Sequence, residues 1–343
     1  MIAPAAWMRD DEGESRLLVV EGEALHVARI RDLPRCVGDG DVVVVNDAAT
    51  LPASLRVESE GRAFELRLLT VDVVTGRLHG VLFGEGDHRT RTEHRPPPPE
   101  HVSWLRFGEV VARVVHREGR LVELEAAPSG DALVAALYAH GRPVQYAHVP
   151  EPLPLWAVQT PYASRPWALE MPSAGRALSV SVLTAIRSRG ATVARLTHAA
   201  GLSATGDPTL DARLPLAERY EIPVETVRAL EGARRVIAIG TSVVRALEDS
   251  AARHGQVSSG CATATLRLSA TTPRRAVDAV LTGVHEKGTS HAELLRAFVS
   301  EAVLDRALDR ADALGLLGHE LGDFLWVVGE EGRARLARSG RAA

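Results

Sequence analysis

Asp41-Val42-Val43-Val44-Val45-Asn46-Asp47 is a run of four valines closed by two polar residues. An unbroken β-branched run reads as a strand buried on both faces, as in a parallel sheet covered by helices. The polar pair stands at its carboxyl end, where α/β folds contact ligands. The same pair also fits an Asx turn that merely ends the strand. Upstream, Ser15–Val20 (SRLLVV) is a second apolar strand. Downstream of Leu178, strands and helices alternate. Ser179 reads as the N-cap of a helix through Arg189 that Gly190 ends, and Thr192–Thr197 is the next strand. Pro223 opens a further helix, and the strand Val236–Ile239 turns through Gly240-Thr241-Ser242 into the helix Val243–Ser250. A strand at Ala276–Thr282 and helices near Ser290–Val299 and Glu301–Ala313 follow.

Between Leu55 and Pro128 the texture changes. Phe64–Leu69, Arg77–Phe83, Val110–Val115 and Leu121–Leu124 alternate at short spacing, with Gly, Asp and Pro between them, including the stiff Pro96–Pro99. This predicts an antiparallel β unit, a small barrel or sandwich, set into an α/β chain. The expected organisation is therefore discontinuous: 1–55 and 150–343 form one α/β body, and 56–149 form the insert.

The 343 residues, 45% hydrophobic and 24% charged, suit about two globular domains and exclude a mainly disordered chain. A net charge of −4 gives no bulk field for nucleic acid or anionic lipid. Arg9-Asp10-Asp11-Glu12 interrupts the start before a secretory core could form, and no run is long enough to span a membrane. Cys36 and Cys261 stand alone, without metal-ligand spacing. The expectations are a cytoplasmic, metal-free, monomeric protein. Lys287 is the only lysine beside 39 arginines, a bias read as codon composition rather than as a phosphate-binding surface.

Phosphate-loop, HExxH, GxSxG and strand-linked GxGxxG motifs are absent. Gly240-Thr241-Ser242 offers backbone N–H groups and two hydroxyls at a helix start, a seat for a carboxylate or phosphate, with Arg245 one turn on; simple N-capping explains the same residues. His198 ends a strand, where a histidine can serve as a base near neutral pH or be purely structural. His285, Lys287, Thr289 and Ser290 follow another strand together.

Taken in order, these segments resemble the S-adenosylmethionine:tRNA ribosyltransferase-isomerases of queuosine biosynthesis over nearly the whole chain. The resemblance rests on Ser15–Val19, Arg31–Pro34, Gly40–Asp47, Leu51–Ala53, Gln159-Thr160, Pro172–Gly175, His198, Glu218–Pro223, Gly240–Ser242, Val277–Ala279, Leu281-Thr282, His285 and Gly322-Asp323. It implies a barrel-like α/β domain interrupted by a β-barrel. It also implies S-adenosylmethionine as substrate, its ribosyl part being moved and rearranged onto 7-aminomethyl-7-deazaguanine in tRNA as adenine and methionine leave. Carried over, His198, His285 and Asp47 are the candidate catalytic groups. Asn46, Ser173, Ala174, Gly175, Thr241, Ser242, Arg245, Lys287, Thr289, Ser290 and Asp323 are the candidate substrate contacts, and His198 is expected to matter more than Lys287.

The departures fall on polar positions. Ala48-Ala49 stand where the family has Thr-Arg, Ala177 and Leu216 where it has histidines, and Gly283-Val284-His285-Glu286-Lys287 where it has Asn-Phe-His-Leu-Pro-Lys, which loses the asparagine and shifts the lysine by one place. These losses imply weak tRNA binding. They leave open a diverged enzyme that acts on S-adenosylmethionine or a related nucleoside without tRNA, and a non-catalytic binding protein on the same scaffold.

Overall fold

The computed structural model describes residues 2–330; the final residues, 331–343, of the expected α/β body lie outside them. The chain opens with β1 (Arg16–Glu21), β2 (Ala24–Arg29), the valine strand β3 (Asp41–Asn46) and short β4 (Ala48–Thr50). The middle segment supplies β5 (Ser54–Ser59), β6 (Arg62–Asp72), β7 (Arg77–Phe83), β8 (Trp104–Phe107), β9 (Val110–Glu118) and β10 (Leu121–Ala127), then helix α1 (Asp131–His140) and β11 (Gly141–Arg142). After β12 (Arg165–Ala168) come α2 (Val180–Ser188), β13 (Thr192–His198), α3 (Pro208–Asp211), β14 (Glu218–Ile222) and α4 (Val224–Glu231). The chain then runs through β15 (Arg235–Ile239), α5 (Thr241–His254), β16 (Gly260–Ala264), β17 (Ala279–Gly283), α6 (Ser290–Leu295), α7 (Glu301–Ala313) and β18 (Phe324–Val328).

The flanking segments build one nine-stranded sheet in the order β16-β14-β13-β3-β15-β17-β18-β1-β2. Its centre, β13-β3-β15-β17, is parallel. The valine run is buried throughout and serves both faces. Val42 and Val44 pack with Val236, Ala238 and Leu247 beneath α4, α5 and α7. Val43 and Val45 pack with Ile237, Ile239 and Trp326 against α2. Burial on both faces is why these strands show no polar alternation.

β5 to β10 form the antiparallel second sheet, which a β5–β8 pairing closes into a six-stranded barrel. Leu55, Phe64, Leu66, Leu78, Leu105 and Val122 fill it. The α/β class with an antiparallel barrel insert is thus as the sequence reads. Among the described residues no ladder joins β16 to β2, so the large sheet stays open while the insert closes.

Local differences have local causes. The strand expected from Ala276 begins at Ala279, because Ala276 and Val277 spend their N–H groups on Glu248 rather than on a ladder. The helix expected to Val299 stops at Leu295, and α1 is a helix within the segment read as β. Ser179 does cap α2, accepting the Val182 N–H.

Candidate active site

Parallel pairing brings the carboxyl ends of β13, β3, β15 and β17 to one edge, and with them His198, Asn46-Asp47, Gly240 and His285. β18 runs antiparallel to β17 with Phe324 opposite Gly283, so residues 319–323 reach the same edge. β14 places Tyr220 opposite His198, which brings Glu218 there as well.

Asn46 ties this edge together. Its amide nitrogen donates to the His198 carbonyl at 3.0 Å and its oxygen accepts the His198 N–H at 2.9 Å. That oxygen also accepts the Ala48 N–H at 3.1 Å, so the Asx turn exists beside the cross-strand staple. The Asn46 amide further lies 3.5 Å from Ser242 Oγ, at the start of α5. Asp47 is buried and accepts from Thr197 Oγ1 at 2.6 Å and Ser164 Oγ at 3.0 Å, with Arg195 3.6 Å away.

Gly240 leads into α5 at φ +93°, a conformation that only glycine adopts freely, and no side chain caps the helix. A Cβ at Gly240 would lie 3.5 Å from that of Ala174, so the turn Ser173–Ala177 rests against the helix start. Ala174, with its turn, and Asn46, through Ser242, therefore lie at the start of a 14-residue helix that no side chain caps, a setting that suits an anionic group, whereas Asp47 is engaged by Thr197 and Ser164.

Other expected contacts are engaged elsewhere. The buried Arg245 pairs with Glu218 and donates to the carbonyls of Leu216 at 3.1 Å and Ala264 at 3.3 Å, so its guanidinium is consumed by the fold. Asp323 is fully buried and holds Arg9 at 2.8 Å, Arg16 at 2.7 Å and the Leu317 N–H at 2.9 Å. Thr289 caps α6 and Ser290 is its first residue. Lys287 is exposed and paired with Asp305 at 3.0 Å and Asp309 at 3.4 Å. His285 accepts or donates a hydrogen bond with Thr282 Oγ1 at 3.0 Å and stacks on His291 at 4.4 Å. Burial and the neighbouring His291 and His319 hold its pKa well below the usual histidine range.

His198 departs furthest from expectation. It is fully buried, neither ring nitrogen has a hydrogen-bond partner, and Glu218 lies 3.6 Å from Nε2. Burial, helped by the Arg245 charge, pushes its pKa down to about 3. A base near neutral pH does not fit this setting; a neutral imidazole does. The linkage has a definite sign: the unfolded chain binds this proton below about pH 6.5 and the folded chain does not. Stability is then present above pH 6.5 and lost as pH falls toward 3. Melting curves at pH 7 and pH 5 should show a smaller drop for His198→Gln than for the wild type. Equal drops would remove His198 from that account.

The sequence reading missed a polar cluster beside the Ser173–Ala177 turn. Glu170 is buried, accepting from Ser203 Oγ at 2.5 Å, from the Ser203 N–H at 2.9 Å and from the Tyr146 hydroxyl. Burial, with repulsion from Glu320, pushes its carboxyl up to about 7. Glu320 pairs with His148 at 3.1 Å; His148 and His319 together outweigh the effect of burial and hold its pKa low. His319 lies 4.5 Å from His148, ring to ring. A cavity of about 20 Å³, room for one water, is lined by Tyr146, Glu170, Met171 and Glu320. His148, His319 and Glu320 are also the described residues whose ligand atoms could hold a metal, lying within 4.8 Å of one another. Arg176 binds Glu12 and the Glu320 carbonyl, joining the turn to this cluster. The available signal was proximity in sequence: Glu170 stands just before Pro172–Gly175, and His319-Glu320 just before Gly322-Asp323.

Fold and site define an α/β protein that gathers polar groups at the carboxyl edge of a parallel sheet and carries an inserted β-barrel. Residues 3–327 match the family model described as queuosine biosynthesis protein, and the chain belongs to that family. It is 32% identical to an S-adenosylmethionine:tRNA ribosyltransferase-isomerase of Sorangium cellulosum, covering 93% of this chain and 94% of the relative. Identity to the enzyme of that name in Thiobacillus denitrificans is 30%, covering 93% and 92%. The crystal structure of the S-adenosylmethionine tRNA ribosyltransferase of Thermotoga maritima superposes with a TM-score of 0.52 over 94% of this chain and 95% of that one; at 20% identity it bears on the fold alone.

Proposed function

We propose that this chain is an S-adenosylmethionine-using transferase-isomerase of the queuosine type. In this reading it moves and rearranges the ribosyl part of the sulfonium nucleoside onto an aminomethyl-deazaguanine acceptor. One observation carries the reading: Asn46, Ala174 and Ser242, from three separate family motifs, meet at the uncapped start of α5. The methionine carboxylate is assigned to that helix N-terminus, where N–H groups and the Ser242 hydroxyl meet negative charge. Asn46 fixes the loop beside it. Residues 1–55 with 150–343 are read as the catalytic domain, and 56–149 as a domain that shapes access to it.

A second reading keeps S-adenosylmethionine and changes the acceptor. It is favoured by Ala177 and Leu216, which bring no polar side-chain atom where the family has imidazoles. Ala177 is buried, and only the backbone carbonyl of Leu216 is used, by Arg245. Alanine and leucine side chains give neither donor nor acceptor to a phosphate or base edge.

Mass spectrometry of products after incubation with S-adenosylmethionine, with and without precursor-bearing tRNA, tests both. Adenine release that requires tRNA supports the first reading, and release without it supports the second. No binding at millimolar nucleoside overturns both. Filter binding at ~0.15 M salt should give tRNA affinity weaker than micromolar. Each lost charge-assisted bond removes ~1.5–3 kcal/mol, so two lower affinity by about a hundredfold or more.

A further inference from the structure

Arginine pairs with several buried carboxylates of this chain. Asp41 is held by Arg234 at 2.9 Å and Arg235 at 2.5 Å, Asp323 by Arg9 and Arg16, and Glu218 by Arg245. Glu320 is served differently. Arg176 reaches its backbone carbonyl, while its carboxylate meets His148 Nε2 at 3.1 Å. The ring of His319 lies 4.5 Å from that of His148, tilted by 36°. One ligand atom from each of the three lies within 4.8 Å of the other two. Two imidazoles and a carboxylate, half-buried and drawn from loops 172 residues apart, make a donor set rather than a charge pair.

We propose that His148, His319 and Glu320 bind a divalent first-row metal ion of the Zn²⁺ type, with a fourth position left to water. The assignment stands apart from the proposed transferase chemistry. Bonds of ~2.0–2.2 Å at tetrahedral angles place donor atoms about 3.4 Å apart, and His148 Nε2 and Glu320 Oε2 are already 3.1 Å apart. Closing the His319 ring on the ion asks for a small side-chain movement, not a new backbone. Imidazole nitrogen suits Zn²⁺ and its neighbours, whereas Mg²⁺ and Ca²⁺ prefer oxygen. The backbone beneath the ligands is fixed. Val149 and Leu321, the residues after His148 and Glu320, are buried in one apolar cluster with Ala5. The Val149 N–H donates to the Tyr146 carbonyl at 2.9 Å, closing a turn around His148. His319 stands at φ +65°, a left-handed conformation uncommon outside glycine. Its N–H donates to the Val284 carbonyl at 3.2 Å, and its carbonyl accepts the Gly322 N–H at 3.1 Å. Ligands preset in this way give up little freedom on binding. An ion also has a way in, since the side chains of His148 and Glu320 are 13% and 25% exposed. Bound there, it clips the segment returning from the barrel to the loop that leads into β18.

The test titrates tag-free, chelator-stripped protein with Zn²⁺ by calorimetry and with Co²⁺, whose visible spectrum reports coordination. One ion per chain should bind with a micromolar or tighter dissociation constant. Co²⁺ should give the visible bands of a four-coordinate site without a thiolate charge-transfer band. His148→Ala, His319→Ala and Glu320→Gln should each weaken binding more than ~100-fold, beyond what loss of a merely supporting group costs. His26→Ala, at an exposed position outside the trio, should bind as wild type does. Melting curves without metal check that each variant folds. Zn²⁺ should raise the melting temperature of wild type and His26→Ala but not of the three ligand variants, and Mg²⁺ at the same concentration should raise none. A folded ligand variant that binds within ~100-fold of wild type overturns the site. So does a thiolate band, which would move the ion to a cysteine, or a shift with Mg²⁺ that matches the one with Zn²⁺. Wild type that takes up no Zn²⁺ from millimolar metal overturns it with no variant needed.

Discussion

Arg245→Met is expected to lower the unfolding free energy by ~3–5 kcal/mol, read as the midpoint of a urea transition. The guanidinium is buried, and its charge partner Glu218 otherwise accepts the Gly201 N–H at 2.5 Å. Removing one member of a buried pair leaves the other charge without compensation, and that penalty exceeds what the pair itself contributes. Three carbonyl contacts, to Leu216, Ala264 and Leu266, disappear as well. Arg245 also depresses the neighbouring imidazole. In the variant the His198 pKa should therefore rise toward its ordinary value, and part of the loss would be recovered below pH 6. If stability stayed within 1 kcal/mol while the KM for S-adenosylmethionine rose, Arg245 would be a ligand clamp after all.

Gly175→Val should abolish measurable nucleoside binding, a loss of at least a hundredfold, in a protein that still folds. A Cβ at this position would lie 2.5 Å from the Tyr162 hydroxyl and 2.7 Å from Thr160 Cγ2. Tyr162 is a stiff side chain whose hydroxyl lies 3.4 Å from the Gly175 carbonyl, so it cannot swing clear without losing that contact. The turn Ser173–Ala177 must move instead, and Ala174 with it, away from Gly240. Overpacking costs ~1–3 kcal/mol of stability, which a domain with two cores survives. Binding suffers more, because a site displaced by an ångström loses its aligned donors. Calorimetry with S-adenosylmethionine reads the effect directly; affinity within fivefold of wild type would place the nucleoside elsewhere.

The sheet was legible in the sequence wherever a strand is buried on both faces. Val42–Val45 and Val236–Ile239 are continuous apolar runs, and Arg77–Phe83 and Glu301–Ala313 match their predicted bounds. β14 and β16 escaped notice because ERYEI and GCATA carry too few apolar residues to signal a strand. They are defined by pairing with each other and with β13, which is long-range information. The site was legible as a set of motifs but not as a set of roles. Arg245 and Asp323 look like ligand groups in a linear reading, because only folding reveals that their charges are already paired. Glu170, Tyr146 and Ser203 went unread for the opposite reason: none is near the others in sequence, and their chemistry arises from being brought together.

The ladder between β4 and β12 has a bearing on how such a protein changes over time. The chain leaves the large sheet at Ala48–Thr50 and returns at Arg165–Ala168, and these two pieces lie side by side, Ala48 opposite Arg165. Departure and return are thus buttoned together at the root, and all that lies between hangs from a fastened neck. Lengthening a hairpin tip of the barrel leaves that fastening alone, at a closure cost of only ~0.6 kcal/mol for each doubling of the loop. Heredity can therefore remodel the barrel while the polar groups at the sheet edge keep their arrangement.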